Sequence, residues 1–147
     1  MSEKGKLARS YFLQGYNCSQ AVAMAFADEL GIDKDFLAKA AIGFGGGMSR
    51  LREVCGAFSG IVLVLSLKYG DPNNNLESRK LVYSYVQALS KEFEKANGSI
   101  ICRKLLSNAD ITFSGAPEER TSEYYKKRPC PDIIERAADI LYNSKLI

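Results

Sequence analysis

The sequence contains no histidine and no tryptophan. Without histidine there is no Ser-His-Asp or Cys-His catalytic pair, no histidine-ligated zinc and no CxxCH haem attachment. No two of the four cysteines stand as CxxC, so neither a thioredoxin-type motif nor a zinc ribbon is supported. Long hydrophobic runs are also missing. The longest, 61–67, contains Ser66 and falls far short of the roughly 20 residues that span a bilayer. Residues 1–10 are polar and charged, unlike a secretory leader. The expectation is a cytoplasmic protein with no membrane insertion. A concentrated basic stripe is lacking as well. The net charge is only +3, and Lys126-Lys127-Arg128 reads as a solvated face, so nucleic acid is not an expected partner.

What remains is sulfur, carboxylates, hydroxyls, Lys/Arg and backbone. The chain of 147 residues suits one domain, 1–147, with one core. Apolar residues recur with helical spacing: Leu7, Ala8, Tyr11 and Phe12; then Ala21, Val22, Ala25, Phe26 and Leu30, with Gly31 as a stop; then Phe36, Leu37, Ala40 and Ala41. Residues 56–69 are almost all apolar or small, as in a central buried helix. A long amphipathic helix follows over 76–95, closed by Gly98. Ser99 is placed to cap a helix over 100–106. Segment 108–119 reads as a loop and 118–127 as a short helix. Pro131 opens a last helix that carries Ile133, Ile134, Ala137, Ala138, Ile140 and Leu141. The fold expected is all-α, a bundle of about six to eight helices. The β-rich stretch 61–67 argues against it most, although no hairpin turn adjoins that stretch.

The four cysteines fall at the starts of these helices. Cys18 follows Asn17, a good N-cap. Cys55 precedes Gly56, Cys102 lies in the turn after Ser99, and Cys130 precedes Pro131. Free N–H groups and the macrodipole at a helix start favour thiolate over thiol. Thiolates are the nucleophiles of disulfide exchange and the ligands of soft metals. The bland alternative is that each cysteine is a small buried hydrophobe. The stretch 43–48, with Gly45, Gly46 and Gly47, lets backbone approach a helix, a ligand or the sulfur centre. It matches neither a dinucleotide fingerprint nor a Walker-A loop. Gly56 and Gly60 share one helical face, where they allow close packing or leave room for a sulfur or ligand beside Cys55. Arg50, Arg52 and Lys104 are candidates to hold thiolates by charge. Glu53 is a candidate proton acceptor for Cys55, and Tyr124 and Tyr125 are expected to pack against the last helix.

Cys18, then Cys-Gly-Ala-Phe-Ser-Gly at 55–60, then Cys102 and Cys130, resembles the C_GCAxxG_C_C family, whose members are described as redox-active and often lie near transporter genes. The likeness covers essentially the whole chain, including the glycine-rich stretch. It implies a redox role carried by Cys18, Cys55, Cys102 and Cys130. A related region occurs in split-Soret-type cytochromes, but no haem is carried over to a chain that lacks histidine and the attachment motif. Three functions follow. The first is thiol–disulfide exchange with an unknown redox partner, for which four cysteines permit three pairings. The second is a site in which the four thiolates ligate zinc or an iron–sulfur cluster. The third is a non-catalytic binding module framed by the glycine-rich segment, with Gly45, Gly46, Gly47, Gly56 and Gly60 against the ligand. A homodimer is compatible with all three.

Overall fold

The computed structural model describes residues 2–73, 75–107 and 115–147. Among them the chain is helical and contains no sheet. An isolated antiparallel bridge, Val54 to Ile101, is its single β feature among those residues. The helices are α1 (Glu3–Leu13), α2 (Cys18–Ala25), α3 (Ala27–Leu30), α4 (Lys34–Ala41), the one-turn α5 (Gly45–Met48), α6 (Gly56–Tyr69), α7 (Leu76–Asn97), α8 (Cys102–Leu105), α9 (Ser122–Lys127) and α10 (Cys130–Asn143). Six of them reach seven residues or more, within the expected range. The β-rich stretch lies inside α6. Its branched side chains are tolerated there because tertiary burial outweighs intrinsic propensity. The expected loop 108–119 lies for the most part outside the described residues. No helix among the described residues is long and apolar enough to cross a membrane.

Local chemistry sets the helix boundaries. Asn17 caps α2 through a full capping box with Gln20, and Asn75 caps α7. Gly31 and Gly98 close α3 and α7 in the left-handed region, where a Cβ would be strained. The stripe 21–30 breaks into two helices at Phe26, whose backbone (φ −107°) departs from helical geometry. The helix expected over 100–106 is shorter. Ile101 is its N-cap, and the Ser99 hydroxyl accepts from the Ile101 N–H at 3.0 Å.

The most enclosed helix is α2 rather than α6. Residues 19–25 are all buried, whereas Leu67 of α6 is exposed. Small side chains on α2 let its neighbours come close: α1, α4, α6 and α10 all pack on it. Gly60 of α6 lies on this crossing, where an added Cβ would stand 2.8 Å from Val22 Cβ and 3.1 Å from the Ser19 carbonyl. Large side chains buried elsewhere in the core include Phe12, Phe26, Leu37, Ile61, Leu65, Phe93, Ile134 and Leu141. Each contributes roughly 1.5–3 kcal/mol by leaving water. α10 spans the bundle against α1, α2, α6 and α7, which brings its first residue, Cys130, toward the start of α2.

Candidate functional site

All four cysteines stand at helix starts, as the sequence suggests. Cys18, Cys102 and Cys130 are the first residues of α2, α8 and α10, and Cys55 is the N-cap of α6. Two strips of backbone set Cys55 against Cys102. The Cys55 N–H donates to the Ile100 carbonyl at 2.7 Å, and the Cys102 N–H donates to the Glu53 carbonyl at 2.6 Å. Cys18 meets α6 at Gly56, where an added Cβ would run into the Cys18 sulfur. The room that Gly56 leaves beside Cys55 is therefore filled by a second cysteine.

The glycine-rich segment is a turn of left-handed helix. Gly46, Gly47, Met48, Ser49 and Arg50 all have positive φ, at 68°, 68°, 71°, 49° and 67°, and Arg52 follows at 60°. Left-handed geometry costs roughly 1–2 kcal/mol for each residue with a Cβ. Strain of this kind persists where the surroundings over-determine it. The turn is held by the Glu53 N–H donating to the Gly47 carbonyl at 2.8 Å and by Asn17 Nδ2 donating to the Ile42 carbonyl at 2.9 Å. Each glycine has a separate task. Gly45 makes way for the Asn17 side chain, and Gly47 lies where a Cβ would stand 2.5 Å from Cys102 Cβ. The Gly46 N–H points to the Cys18 sulfur, which its hydrogen bond stabilises as thiolate.

Cys18, Cys55, Cys102 and Cys130 line one cavity of about 70 Å³. Phe12, Leu105, Leu106, Ile133 and Ile134 supply its apolar wall, and Arg52, Arg120, Arg128 and Tyr124 its polar side. All four cysteines carry free thiols. Among the described residues, no three His, Cys, Asp or Glu side chains are placed to hold a metal ion.

Burial dominates the electrostatics. It pushes the Cys18 thiol up against the Gly46 N–H, and the neighbouring Cys102 adds to the rise. Burial, then repulsion from Cys18, holds Cys55 well above the ordinary thiol range, against the Ala57 and Phe58 N–H groups. Cys130 is pushed up to about 12 by burial, then by Cys18 and Cys102, with Arg128 and Arg52 opposing. The thiolates expected at these helix starts are thus disfavoured at Cys18, Cys55 and Cys130. The N–H groups reach the sulfur, but desolvation outweighs them. Tyr124 is raised in the same way, by burial and then by Cys130.

Other candidates separate. Arg52 is buried, with Nη1 3.7 Å from Cys102 Sγ. Arg50 is buried and pairs with Glu118 at 3.3 Å. Lys104 is exposed and does not line the cavity. Glu53 faces solvent and pairs with Arg103 at 3.1 Å, so it does not serve Cys55 as a proton acceptor. Tyr125 packs edge-on against Phe12, with ring centroids 6.0 Å apart. Gly60 does not line the cavity.

Two residues were not legible as functional. Arg128, in a run that reads as a solvated face, is buried and pairs with Glu118 at 2.5 Å. Arg120 lies over the Phe12 ring at 4.2 Å and donates to the Phe12 and Tyr16 carbonyls. The signal for both was the four-residue recurrence Arg120, Tyr124, Arg128, which brings two guanidiniums to one tyrosine ring at 5.2 and 5.0 Å.

Comparison with known proteins agrees with the four-cysteine pattern. An uncharacterized protein of Archaeoglobus fulgidus is 32% identical over 136 residues, covering 87% of this chain and 83% of the relative. No solved structure matches. The family model described as "Putative redox-active protein (C_GCAxxG_C_C)" matches residues 16–144, which takes in all four cysteines, and the chain belongs to that family.

Proposed function

We propose that Cys18, Cys55, Cys102 and Cys130 form one thiol–disulfide redox site. The observation that carries this reading is that four cysteines far apart in the sequence, on four different helices, line a single cavity. Repulsion links the four: Cys18 and Cys130 act on Cys55, Cys18 and Cys102 act on Cys130, and Cys102 acts on Cys18. In the reaction two protein thiols lose two electrons and two protons and join as a disulfide. The partner, a disulfide R–S–S–R, gains both and leaves as two R–SH. Attack begins from a thiolate. The Gly46 N–H would stabilise that thiolate at Cys18, and Arg128 and Arg52 would stabilise it at Cys130.

Titration of thiols after exposure to a small disulfide, followed by mass-spectrometric mapping, tests the reading. The expected result is loss of two or four thiols within one chain. Four thiols that stay free under both oxidising and reducing conditions overturn it.

A four-thiolate metal site is the second reading, favoured by the same convergence and by guanidiniums that would offset thiolate charge. Against it stands the absence, among the described residues, of three ligands placed to share an ion. Metal analysis of protein prepared anaerobically with iron and zinc present decides between the two. Stoichiometric metal that is lost in Cys-to-Ser variants favours the second reading.

A further inference from the structure

The left-handed turn brings a guanidinium to one of the four sulfurs. Arg52 is 5% exposed, and its Nη1 donates to Cys102 Sγ at 3.7 Å. Both residues line the thiol cavity. Backbone fixes the contact from each end. The Cys102 N–H donates to the Glu53 carbonyl at 2.6 Å, and the Arg103 N–H donates to the Arg52 carbonyl at 3.2 Å. The Arg52 N–H in turn donates to the Gly46 carbonyl at 3.3 Å. Gly47 packs on both partners at once, since an added Cβ would stand 2.5 Å from Cys102 Cβ and 2.9 Å from Arg52 Cα. Arg52 itself holds φ 60°, a strained conformation for a residue with a Cβ. The strain and the close packing thus serve one side-chain contact, guanidinium to sulfur.

That contact differs in kind from the backbone donors at two other cysteines. The Gly46 N–H meets Cys18, and the Ala57 and Phe58 N–H groups meet Cys55; all are neutral donors. Hydrogen bonds with an ionised partner are roughly twice as strong as neutral ones. Arginine keeps its charge in proteins, so a thiolate beside it is stabilised at any working pH. The guanidinium carries several N–H donors, so its bond to sulfur does not depend on how the others are used. Negative charge on Cys102 also raises both Cys18 and Cys130. A thiolate at Cys102 therefore keeps those two neighbours protonated.

We propose that Cys102 is the attacking thiolate of the site and that Arg52 is the positioning residue that holds it ready. The assignment rests on the thiol–disulfide reading above. The Cys102 thiolate attacks a disulfide R–S–S–R. Its S–S bond breaks as the Cys102–S–S–R bond forms, and R–S⁻ leaves and takes from solvent the proton that Cys102 gave up. Bonding removes the charge at Cys102, and with it the repulsion on Cys18 and Cys130. One of those two loses its proton, attacks the Cys102 sulfur and displaces the second R–S⁻, which leaves as R–SH. Two protein thiols are oxidised to one disulfide, and R–S–S–R is reduced to two R–SH.

The test alkylates the reduced protein with limiting iodoacetamide at pH 7 and quantifies each cysteine by mass spectrometry. Oxidation by 2-hydroxyethyl disulfide is followed alongside. The expected result is that Cys102 is alkylated first. Arg52→Gln slows alkylation of Cys102 by about tenfold, while Cys55 changes by less than about threefold. Arg52→Lys, which keeps the charge without the planar fork, recovers part of that rate. The double variant Cys18→Ser, Cys130→Ser accumulates a mixed disulfide at Cys102. First alkylation at another cysteine in the unaltered protein overturns the proposal without any substitution. Alkylation of Cys102 that is unchanged in Arg52→Gln overturns the role of Arg52. Oxidation as fast in Cys102→Ser as in the unaltered protein overturns the assignment and leaves the redox reading standing. Cys102 alkylated first in a protein that the disulfide does not oxidise supports the reactive thiolate and overturns the redox reading.

Discussion

Gly46 and Gly47 offer a controlled comparison, because they are adjacent, share φ 68° and differ in what surrounds them. Alanine at either position meets the left-handed penalty, about 1–2 kcal/mol. Either change also stiffens the unfolded chain to a similar degree, so that contribution cancels in the difference. At Gly46 the nearest atom to a new Cβ is Arg50 Cγ at 3.0 Å, part of a flexible side chain that can shift. At Gly47 the new Cβ stands 2.5 Å from Cys102 Cβ, 2.8 Å from the Glu53 nitrogen and 2.9 Å from Arg52 Cα. Those backbone atoms cannot easily retreat. Glu53 N–H is bonded to the Gly47 carbonyl at 2.8 Å, and Glu53 carbonyl to Cys102 N–H at 2.6 Å. Overpacking of this kind adds about 1–3 kcal/mol. Gly46→Ala should therefore cost about 1–2 kcal/mol and Gly47→Ala about 2–5 kcal/mol, a large part of the roughly 5–15 kcal/mol that holds such a domain. Urea unfolding in reductant, with m-values compared, measures both. Gly98→Ala is the control, since Gly98 has φ 98° and open space around it. Equal costs at Gly46 and Gly47, within about 0.5 kcal/mol, would refute the close approach of this turn to Cys102.

Three further outcomes follow from the same geometry. A thiol held protonated by burial stabilises the fold fully below the unfolded value of about 8.5, and that stabilisation fades as pH rises through the folded value, about 1.4 kcal/mol per pH unit per group. With Cys130 pushed up to about 12, urea midpoints should fall steadily above pH ~9, and Cys130→Ala should flatten that fall. Cys18→Ser should let Cys55 and Cys130 ionise at lower pH, because repulsion from Cys18 helps raise both; ultraviolet titration of thiolate absorbance reads this, and an unchanged curve refutes it. Asn17→Ala should cost about 1–2 kcal/mol through the lost N-cap. It should also soften Gly45→Ala, whose new Cβ would strike the Asn17 side chain, so a double-mutant cycle that shows strict additivity counts against that contact.

The features legible in the sequence are the ones that local chemistry decides. An N-cap asparagine before Cys18, Gly56 after Cys55, and Pro131 after Cys130 each mark a helix start, and the helices begin there. The close packing at Gly56 and Gly60 was likewise foreshadowed, since a glycine inside a helix costs about 1 kcal/mol relative to alanine and asks for a steric reason. The unread features depend on what lies across the fold. Arg128 shares its run with two lysines; its four-residue spacing from Tyr124 is local, but its burial and its pairing with Glu118 are set by the fold around the end of α9. Glu53 is close to Cys55 along the chain, yet extended backbone turns its side chain outward to Arg103. Of the three consecutive glycines only Gly46 and Gly47 take positive φ, and Met48, Ser49, Arg50 and Arg52, which no local signal marks, enter the left-handed region after them.

The competition between helix ends and burial explains how buried thiols can still belong to a redox site. A helix start favours an anion by about 0.3–1 kcal/mol, rising to about 2 kcal/mol in favourable partly buried geometry. Raising Cys130 from its ordinary value of 9.0 to about 12 corresponds to about 4 kcal/mol against ionisation, so burial prevails. That penalty falls on the thiolate alone. A dithiol and a disulfide are both neutral, so exchanging one for the other leaves no charge in the apolar cavity, and burial acts on the rate rather than on the end states. At neutral pH a thiol near 12 is ionised about 1000-fold less than one at 9.0, while the greater nucleophilicity of its thiolate recovers about 15- to 30-fold. Attack is then slower by about 30- to 60-fold, a protection against chance oxidants. Positive charge held against the cavity wall by Arg52 and Arg128 offsets part of that barrier. Burial and guanidinium charge thus act on the same step in opposite directions, since burial raises the barrier to forming a thiolate and the arginines lower part of it.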